Sequence, residues 1–384
     1  MSDVYDGQVW NDFKSEKFSN FLQNKRCYGA MLNFDFFQPY KHTPESYGVF
    51  YITLMNLPRD QRFKQENVIL VGIIPAFEHE PTLNPFMVPL VWELQEFWNP
   101  GVRLFTAESP RFKLQFKLAL MCVACDIPAA RKVCGFMGHS ANLGCSRCLK
   151  FFPSMSDKKR DCSGFNRESW PSRDLNTHKR TCQRLKKCKS PNESGILESQ
   201  SGVRYFVLTE LPYFDPIRFT VVDPMPNLFL GPAKRVMKKI WIENDLISKD
   251  KMKVIQTRVD SIRAPSGIGR IPRKIASSFG GFTAEQWKNW VIVYSMFALC
   301  GILPQEHYRC WQVFVLSCYF LCRREINDVE LKKADMLLLK FCKNVESLYG
   351  NLAVTPNMHL HCHIAECVKD FGPIYGFWLF SFER

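Results

Sequence analysis

No stretch of this 384-residue chain reaches the roughly 18 consecutive apolar residues that a membrane-spanning helix needs. The nearest runs, Val291 to Leu303 and Trp311 to Cys322, are separated by Pro304-Gln-Glu-His-Tyr-Arg309 and read as buried helices. Met1-Ser-Asp-Val-Tyr-Asp6 lacks the basic and then apolar segments of a secretory leader, and the 16 cysteines are scattered through apolar segments rather than framed as a disulfide scaffold. Reduced thiols in a cytosolic or nuclear protein are therefore expected. Internal repeats are also missing, which argues against a solenoid, and no distinctive nucleophile motif is present. Acids are in short supply: 37 Asp and Glu against 51 Lys and Arg leave a net charge of +14. That balance favours an anionic partner, most commonly nucleic acid; the alternative is a basic protein with no polyanion ligand.

What is present is enough apolar residue, 46%, for a substantial core, in one large domain or two to three smaller ones. Strand-like runs occupy Tyr28 to Phe37, Tyr47 to Asn56 and Asn67 to Phe77. Thr82 to Trp98 has helical spacing; Leu114 to Asp126 predicts a fourth, fully buried strand, and Pro128 to Met137 a following helix. From Ser154 to Ser201 the composition turns polar and basic. Residues 230–350 then predict helices, one opened by a capping box at Thr283-Ala-Glu-Gln286 and another, later, by Thr355-Pro356.

Three acids stand in apolar surroundings: Asp35 in Ala30-Met-Leu-Asn-Phe-Asp-Phe-Phe37, Asp126 at the end of the fourth strand, and Glu383 in Ile374-Tyr-Gly-Phe-Trp-Leu-Phe-Ser-Phe-Glu-Arg384. A carboxylate among Phe, Trp and Leu needs a cation or hydrogen bonds. Carboxylates from strand ends and a nearby helix can converge on Mg2+, while an ordinary Glu383–Arg384 pair is the plainer reading of the last acid. Asp223 competes with Asp126 for the second place.

Cys145-Ser-Arg-Cys148 is half of a tetrahedral zinc site. His359 and His363, at i and i+4 of a predicted helix, would share a face and supply the other half; His139 could replace either. The alternative is buried thiols and ordinary helix histidines. Two basic stretches suit phosphate contacts: Lys179, Arg180, Arg184, Lys186, Lys187 and Lys189 on a helix basic around much of its circumference, and Arg270, Arg273 and Lys274 in a turn-rich segment. Solvated excursions of the chain are the alternative for both. Trp287 and Trp290, beside the second stretch, read as core residues.

Several motifs occur in order: Asp6-Gly-Gln-Val-Trp10, Leu32-Asn-Phe-Asp-Phe-Phe-Gln-Pro-Tyr-Lys41, Asn56-Leu-Pro-Arg59, Arg62-Phe-Lys-Gln-Glu-Asn-Val-Ile-Leu-Val-Gly-Ile-Ile-Pro75, Cys125-Asp-Ile-Pro-Ala-Ala-Arg-Lys132, Gly138-His-Ser-Ala-Asn-Leu-Gly-Cys-Ser-Arg-Cys148, Leu211-Pro-Tyr-Phe-Asp215, Asp223-Pro-Met225, Thr355-Pro-Asn-Met-His359 and Phe382-Glu-Arg384. From about Tyr5 to Arg384 the series resembles the transposases of CACTA (En/Spm-type) DNA transposons.

The resemblance implies an α/β fold, an RNase-H-like mixed sheet with a large, mostly helical insertion. Its layout would be a lead-in at 1–27, the first part of the core at 28–153, the insertion at 154–354 and a returning catalytic helix region at 355–384. It implies Asp35, Asp126 and Glu383 as ligands of Mg2+ or Mn2+, DNA cleavage and strand transfer at transposon ends, a possible structural Zn2+, a nuclear location, and DNA and further copies of the chain as partners. Where the family reads Asp-x-Met-His, this chain has Pro226. That departure, with an end directly after Glu383, implies a truncated copy, and keeps open a domesticated or decayed DNA-binding protein without catalysis.

Overall fold

Branched and aromatic residues in alternation build the sheet. The computed structural model describes residues 1–40, 42, 45–77, 79, 81–155, 159–269 and 274–381. A lead-in through α1 (Gln8–Lys14) reaches β1 (Cys27–Phe37), β2 (Tyr47–Leu54) and β3 (Val68–Ile74), an antiparallel meander. Next come α2 (Asn84–Trp98) and a hairpin of β4 (Val102–Thr106) with β5 (Ser109–Val123). The inner half of β5 runs parallel to β1, Cys27 opposite Lys117 and Leu32 opposite Val123, giving the order β3-β2-β1-β5-β4. The fold is thus mixed α/β.

The expected three strands, helix, strand and helix are all present, but with shifted boundaries: the third strand ends at Ile74 rather than Phe77, and the last helix at Val133 rather than Met137. β4 went unread, and β5 begins at Ser109 rather than Leu114, because this hairpin projects into water: Arg103, Leu104, Phe105, Arg111, Phe112 and Lys113 are exposed. Without a buried face, no alternation of polarity marks a strand. At its other end β5 stops at Val123, and Asp126 instead caps α3 (Ile127–Val133), its Oδ1 accepting from Ala129 N–H at 2.7 Å.

The remainder is helical: α4 (Leu175–Lys187), α5 (Pro191–Ser201), two wide-turn segments at Met225–Ala233 and Val236–Ile242, α6 (Lys249–Asp260), α7 (Gln305–Leu321), α8 (Asp328–Tyr349), α9 (Pro356–His361) and α10 (Ile364–Phe371). Thr283 and Gln286 form the expected capping box, and Thr355 is the N-cap of α9. Buried residues from the lead-in, sheet and helices join one core, in which Trp287 and Trp290 are wholly enclosed; a small satellite of Cys182, Leu185 and Val203 lies under α4 and α5. No helix among the described residues is long and apolar enough to cross a membrane.

Candidate functional site

Because β1 and β5 are parallel, their C-terminal ends open at one edge of the sheet, where α/β folds commonly place ligands. A cleft of about 410 Å³ lies there, lined by Asp35, Asp126, Asn33, Tyr51, Pro226 and Leu379 among others. Asp35 is not enclosed by its apolar run: the alternation of β1 turns it outward after the buried Phe34. Surrounding protein nevertheless removes enough water to push its carboxyl above the usual range. The negative charge of Asp126 adds to that shift, and the Phe36 N–H opposes it. The two carboxylates therefore face a common space and feel each other's charge.

Asp223 arrives at the same edge by another route. Val123 C=O accepts from Val221 N–H at 3.1 Å, while the neighbouring Ala124 N–H donates to Leu32 C=O at 2.9 Å. The C=O of Val123 and the N–H of Ala124 belong to one trans peptide group and point to opposite edges, so residues 220–222 flank β5 on the side away from β1, in parallel sense. Asp223 follows, 1% exposed, and its Oδ1 accepts from Leu379 N–H at 3.0 Å. It thereby ties the C-terminal segment to the cleft wall. Glu383 lies outside the described residues.

A second site sits where the chain between α3 and α4 meets the α9–α10 break. Cys145, Cys148, His359 and His363 are all buried, and one ligand atom from each lies within 4.8 Å of the others. The CxxC loop is shaped as a metal knuckle: Arg147 N–H donates to Cys145 Sγ at 3.3 Å and Lys150 N–H to Cys148 Sγ. His359 Nε2 is 3.3 Å from Cys148 Sγ. His363 Nδ1 is 2.8 Å from Glu366 Oε1, which leaves Nε2 buried and without a hydrogen-bond partner among the described residues. A carboxylate behind the imidazole is the usual support of a metal-bound histidine.

The two histidines do not share one helix as the spacing predicted. α9 ends at His361 and His363 precedes α10, yet their ring centroids are 5.2 Å apart. His139 is exposed and Cys134 packs in the core; neither joins the cluster.

The Cys145 thiol and the His363 imidazole shift each other's titration. Burial alone would raise the Cys145 thiol; the Cys148 hydrogen bond and the charges of His363 and His359 bring it well below the ordinary range. Burial alone would lower His363, but Cys145 and then Glu366 lift it to about 10.

Two residues of this region escaped the sequence reading. Glu366 could have been found three positions after His363. Arg147, inside the CxxC, donates to the carbonyls of Arg218 (3.3 Å) and Thr220 (3.1 Å), to Cys367 Sγ (2.9 Å) and to Asp370 Oδ2 (3.4 Å). It links the cysteine knuckle to the segment leading into Asp223.

The basic helix α4 is one-sided. His178, Thr181, Cys182 and Leu185 are buried, so cations occupy the opposite face instead of the whole circumference. Arg180, Arg184, Lys187 and Lys189 are exposed; Lys186 pairs with Glu210 at 2.7 Å, and half-buried Lys179 donates to Pro212 C=O at 3.1 Å. Lys274 is exposed at the start of a short helix, and Arg270 and Arg273 lie outside the described residues.

The described residues thus bring together an α/β sheet with two carboxylates at one cleft, a buried Cys/His cluster that could hold a metal ion, and a helix with a basic face. Residues 1–168 match a protein-family model described as the transposase family tnp2. That segment contains Asp35, Asp126, Cys145 and Cys148, and the match supports a transposase-like function with DNA as partner. No curated protein matches the chain.

Proposed function

We propose that this chain is a transposase-like protein with an RNase-H-like core, in which Asp35, Asp126 and Glu383 hold Mg2+ or Mn2+ for cleavage and strand transfer of DNA at transposon ends. One observation carries the reading: Asp35, near the end of β1, and Asp126, just past the end of the parallel β5, line one cleft. Paired carboxylates so placed fit a hard divalent cation, which would offset their repulsion. Such ions, when bound, stabilise the attacking and leaving oxygens of phosphodiester chemistry. Asp223 acts as the anchor that holds the Leu379 segment, and with it the approach to Glu383, against the cleft. Arg180, Arg184, Lys187 and Lys189 supply phosphate contacts that carry no sequence information. The buried Cys145, Cys148, His359 and His363 fit a structural Zn2+.

The test is nicking of supercoiled DNA with Mg2+ or Mn2+. Activity that disappears in Asp35→Asn and Asp126→Asn supports the reading, and nicking that persists in both variants overturns it. A second reading, a DNA-binding relic, is favoured by Pro226, which lines the cleft where the resemblance places a histidine and offers no donor or acceptor. Pro226→His discriminates: a gain of metal-dependent nicking supports the enzyme, and DNA binding with no nicking supports the relic.

A further inference from the structure

The break between α9 and α10 carries ligands on two sides. His359 and His363 turn toward the CxxC knuckle, whereas His361 and Cys362, between them in sequence, turn toward Cys342 on α8. Cys342, His361 and Cys362 are buried, and one ligand atom from each lies within 4.8 Å of the others. Cys342 and Cys362 are free thiols with their Sγ atoms 3.9 Å apart. This is close to the edge of about 3.8 Å that two thiolates span around a tetrahedral ion with bonds of about 2.3 Å. Cys342 Sγ and His361 Nε2 are 2.8 Å apart, a hydrogen-bond length. A sulfur–nitrogen edge around such an ion is about 3.5 Å, so the ring would slide by about 0.7 Å on loading.

The imidazole is already oriented for this. His361 Nδ1 lies 3.3 Å from Asn227 C=O, which can only accept. The proton therefore belongs on Nδ1, and the Nε2 lone pair faces the two sulfurs, the arrangement that supports metal-bound histidines. Asn227 in turn donates from Nδ2 to Asp223 C=O at 2.7 Å, and it belongs to the wide-turn segment Met225–Ala233, from which Met225 and Pro226 line the acidic cleft.

We propose that Cys342, His361 and Cys362 form a second metal site, taking a soft d10 cation, Zn2+ or Cu+, and that its occupancy fixes the Met225–Ala233 wall of the acidic cleft through His361 and Asn227. Two thiolates and an imidazole select such ions over Mg2+ or Ca2+. Three protein ligands leave one coordination position for a fourth donor with Zn2+, and none is required for trigonal Cu+. The proposal does not depend on DNA cleavage.

Elemental analysis of the reduced full chain, loaded separately with Zn2+ or Cu+, tests it. Wild type should hold two equivalents of the preferred ion, Cys145→Ser and Cys342→Ser one each, and the double variant none. Hydrogen exchange at residues 225–233 should quicken at least tenfold in Cys342→Ser while the Cys145 site stays loaded. If Cys342→Ser does not fold, Co2+ titration of wild type substitutes for it, and sulfur-to-cobalt charge transfer should grow through two equivalents. A single equivalent of metal in wild type that Cys342→Ser retains and Cys145→Ser loses, full stoichiometry in Cys342→Ser, exchange at 225–233 unchanged on loading, or a Cys342–Cys362 disulfide as the resting state under reducing conditions would each overturn it.

Discussion

The Cys145–His363 junction and the Asp35–Asp126 cleft both gather candidate metal ligands, but they are built in opposite ways. The junction is closed: its four ligands are buried, its loop is pinned by Arg173 donating to Cys145 C=O at 2.8 Å, and Glu366 backs His363. The cleft is open, its Asp35 exposed at the surface and its carboxyl pushed up first by partial loss of water and then by the charge of Asp126. A site whose ligands are oriented from behind and sealed from water suits one ion held for the life of the protein. Carboxylates left facing solvent and one another suit an ion that comes and goes with a substrate. On the proposed reading the difference separates an element of architecture from an element of turnover, although residue types alone would not distinguish them.

The sharpest break in that comparison is Cys148→Ser. It should remove the one equivalent of zinc assigned to the junction and cost more than about 4 kcal/mol of stability, since a buried ligand set is left uncompensated. Denaturant unfolding with and without a chelator checks this; a variant as stable as wild type would remove the junction from the architecture.

Asp35→Asn should do the reverse, lowering Mg2+-dependent nicking at least 100-fold while leaving zinc content unchanged. Because the folded protein already disfavours the Asp35 carboxylate, the neutral amide should slightly raise the metal-free melting temperature at neutral pH, as is common where function has left repulsion in place. A clear fall in melting temperature would contradict the account of the cleft.

Acid should distinguish the two regions again. His178, packed against Phe136 near Arg173, is held down to about 4, first by burial and then by the charges of Arg173 and Lys179. Its unfolded form titrates near 6.5, so the unfolded state binds more protons between those values and stability is lost as pH falls through that window. From pH 7 to 5 this amounts to on the order of 2 kcal/mol. Asp35, raised instead of lowered, has the opposite sign: protonation relieves repulsion. Comparing the pH dependence of unfolding for His178→Phe with that of wild type isolates the histidine contribution; identical slopes would exclude it.

The smallest expected effect is on DNA binding. Neutralising Arg184, Lys187 and Lys189 should reduce the slope of log K against log salt by up to about 0.9 per lost phosphate contact. Lys186→Gln alone should change it less, because Glu210 already engages that ammonium. Equal slopes in all proteins would leave α4 out of the interface.

The strands carrying the acids were legible because Ala30 to Phe34 and Ala119 to Val123 are buried on both faces and read as continuous apolar runs. The Cys/His set was legible from its spacing, even though the helix supposed to carry both histidines breaks between them. That break leaves no signature in Met358-His-Leu-His-Cys-His363, since every residue there is buried and tertiary packing, not periodicity, decides where the turn falls. Cys342 stayed invisible for a related reason. A lone cysteine in an amphipathic helix reads as core, and only the fold turns His361 and Cys362 toward it. Asp126 was read as a strand end, whereas the Pro128-Ala-Ala segment after it makes it a helix cap as well.

One consequence of the junction concerns the order of synthesis. Cys148 and His359 stand 211 residues apart, so their shared site closes a very long loop. Pinning such a loop removes about 5 kcal/mol of chain entropy from the unfolded ensemble by the usual loop-closure scaling. At about 5–20 residues per second, a ribosome needs about 10–40 s to deliver the histidines after the cysteines have emerged. Throughout that interval the outer edge of β5 at Val123 also waits for Val221. The nascent chain thus presents the Cys145–Cys148 loop and an open strand edge together until residues 359–363 arrive.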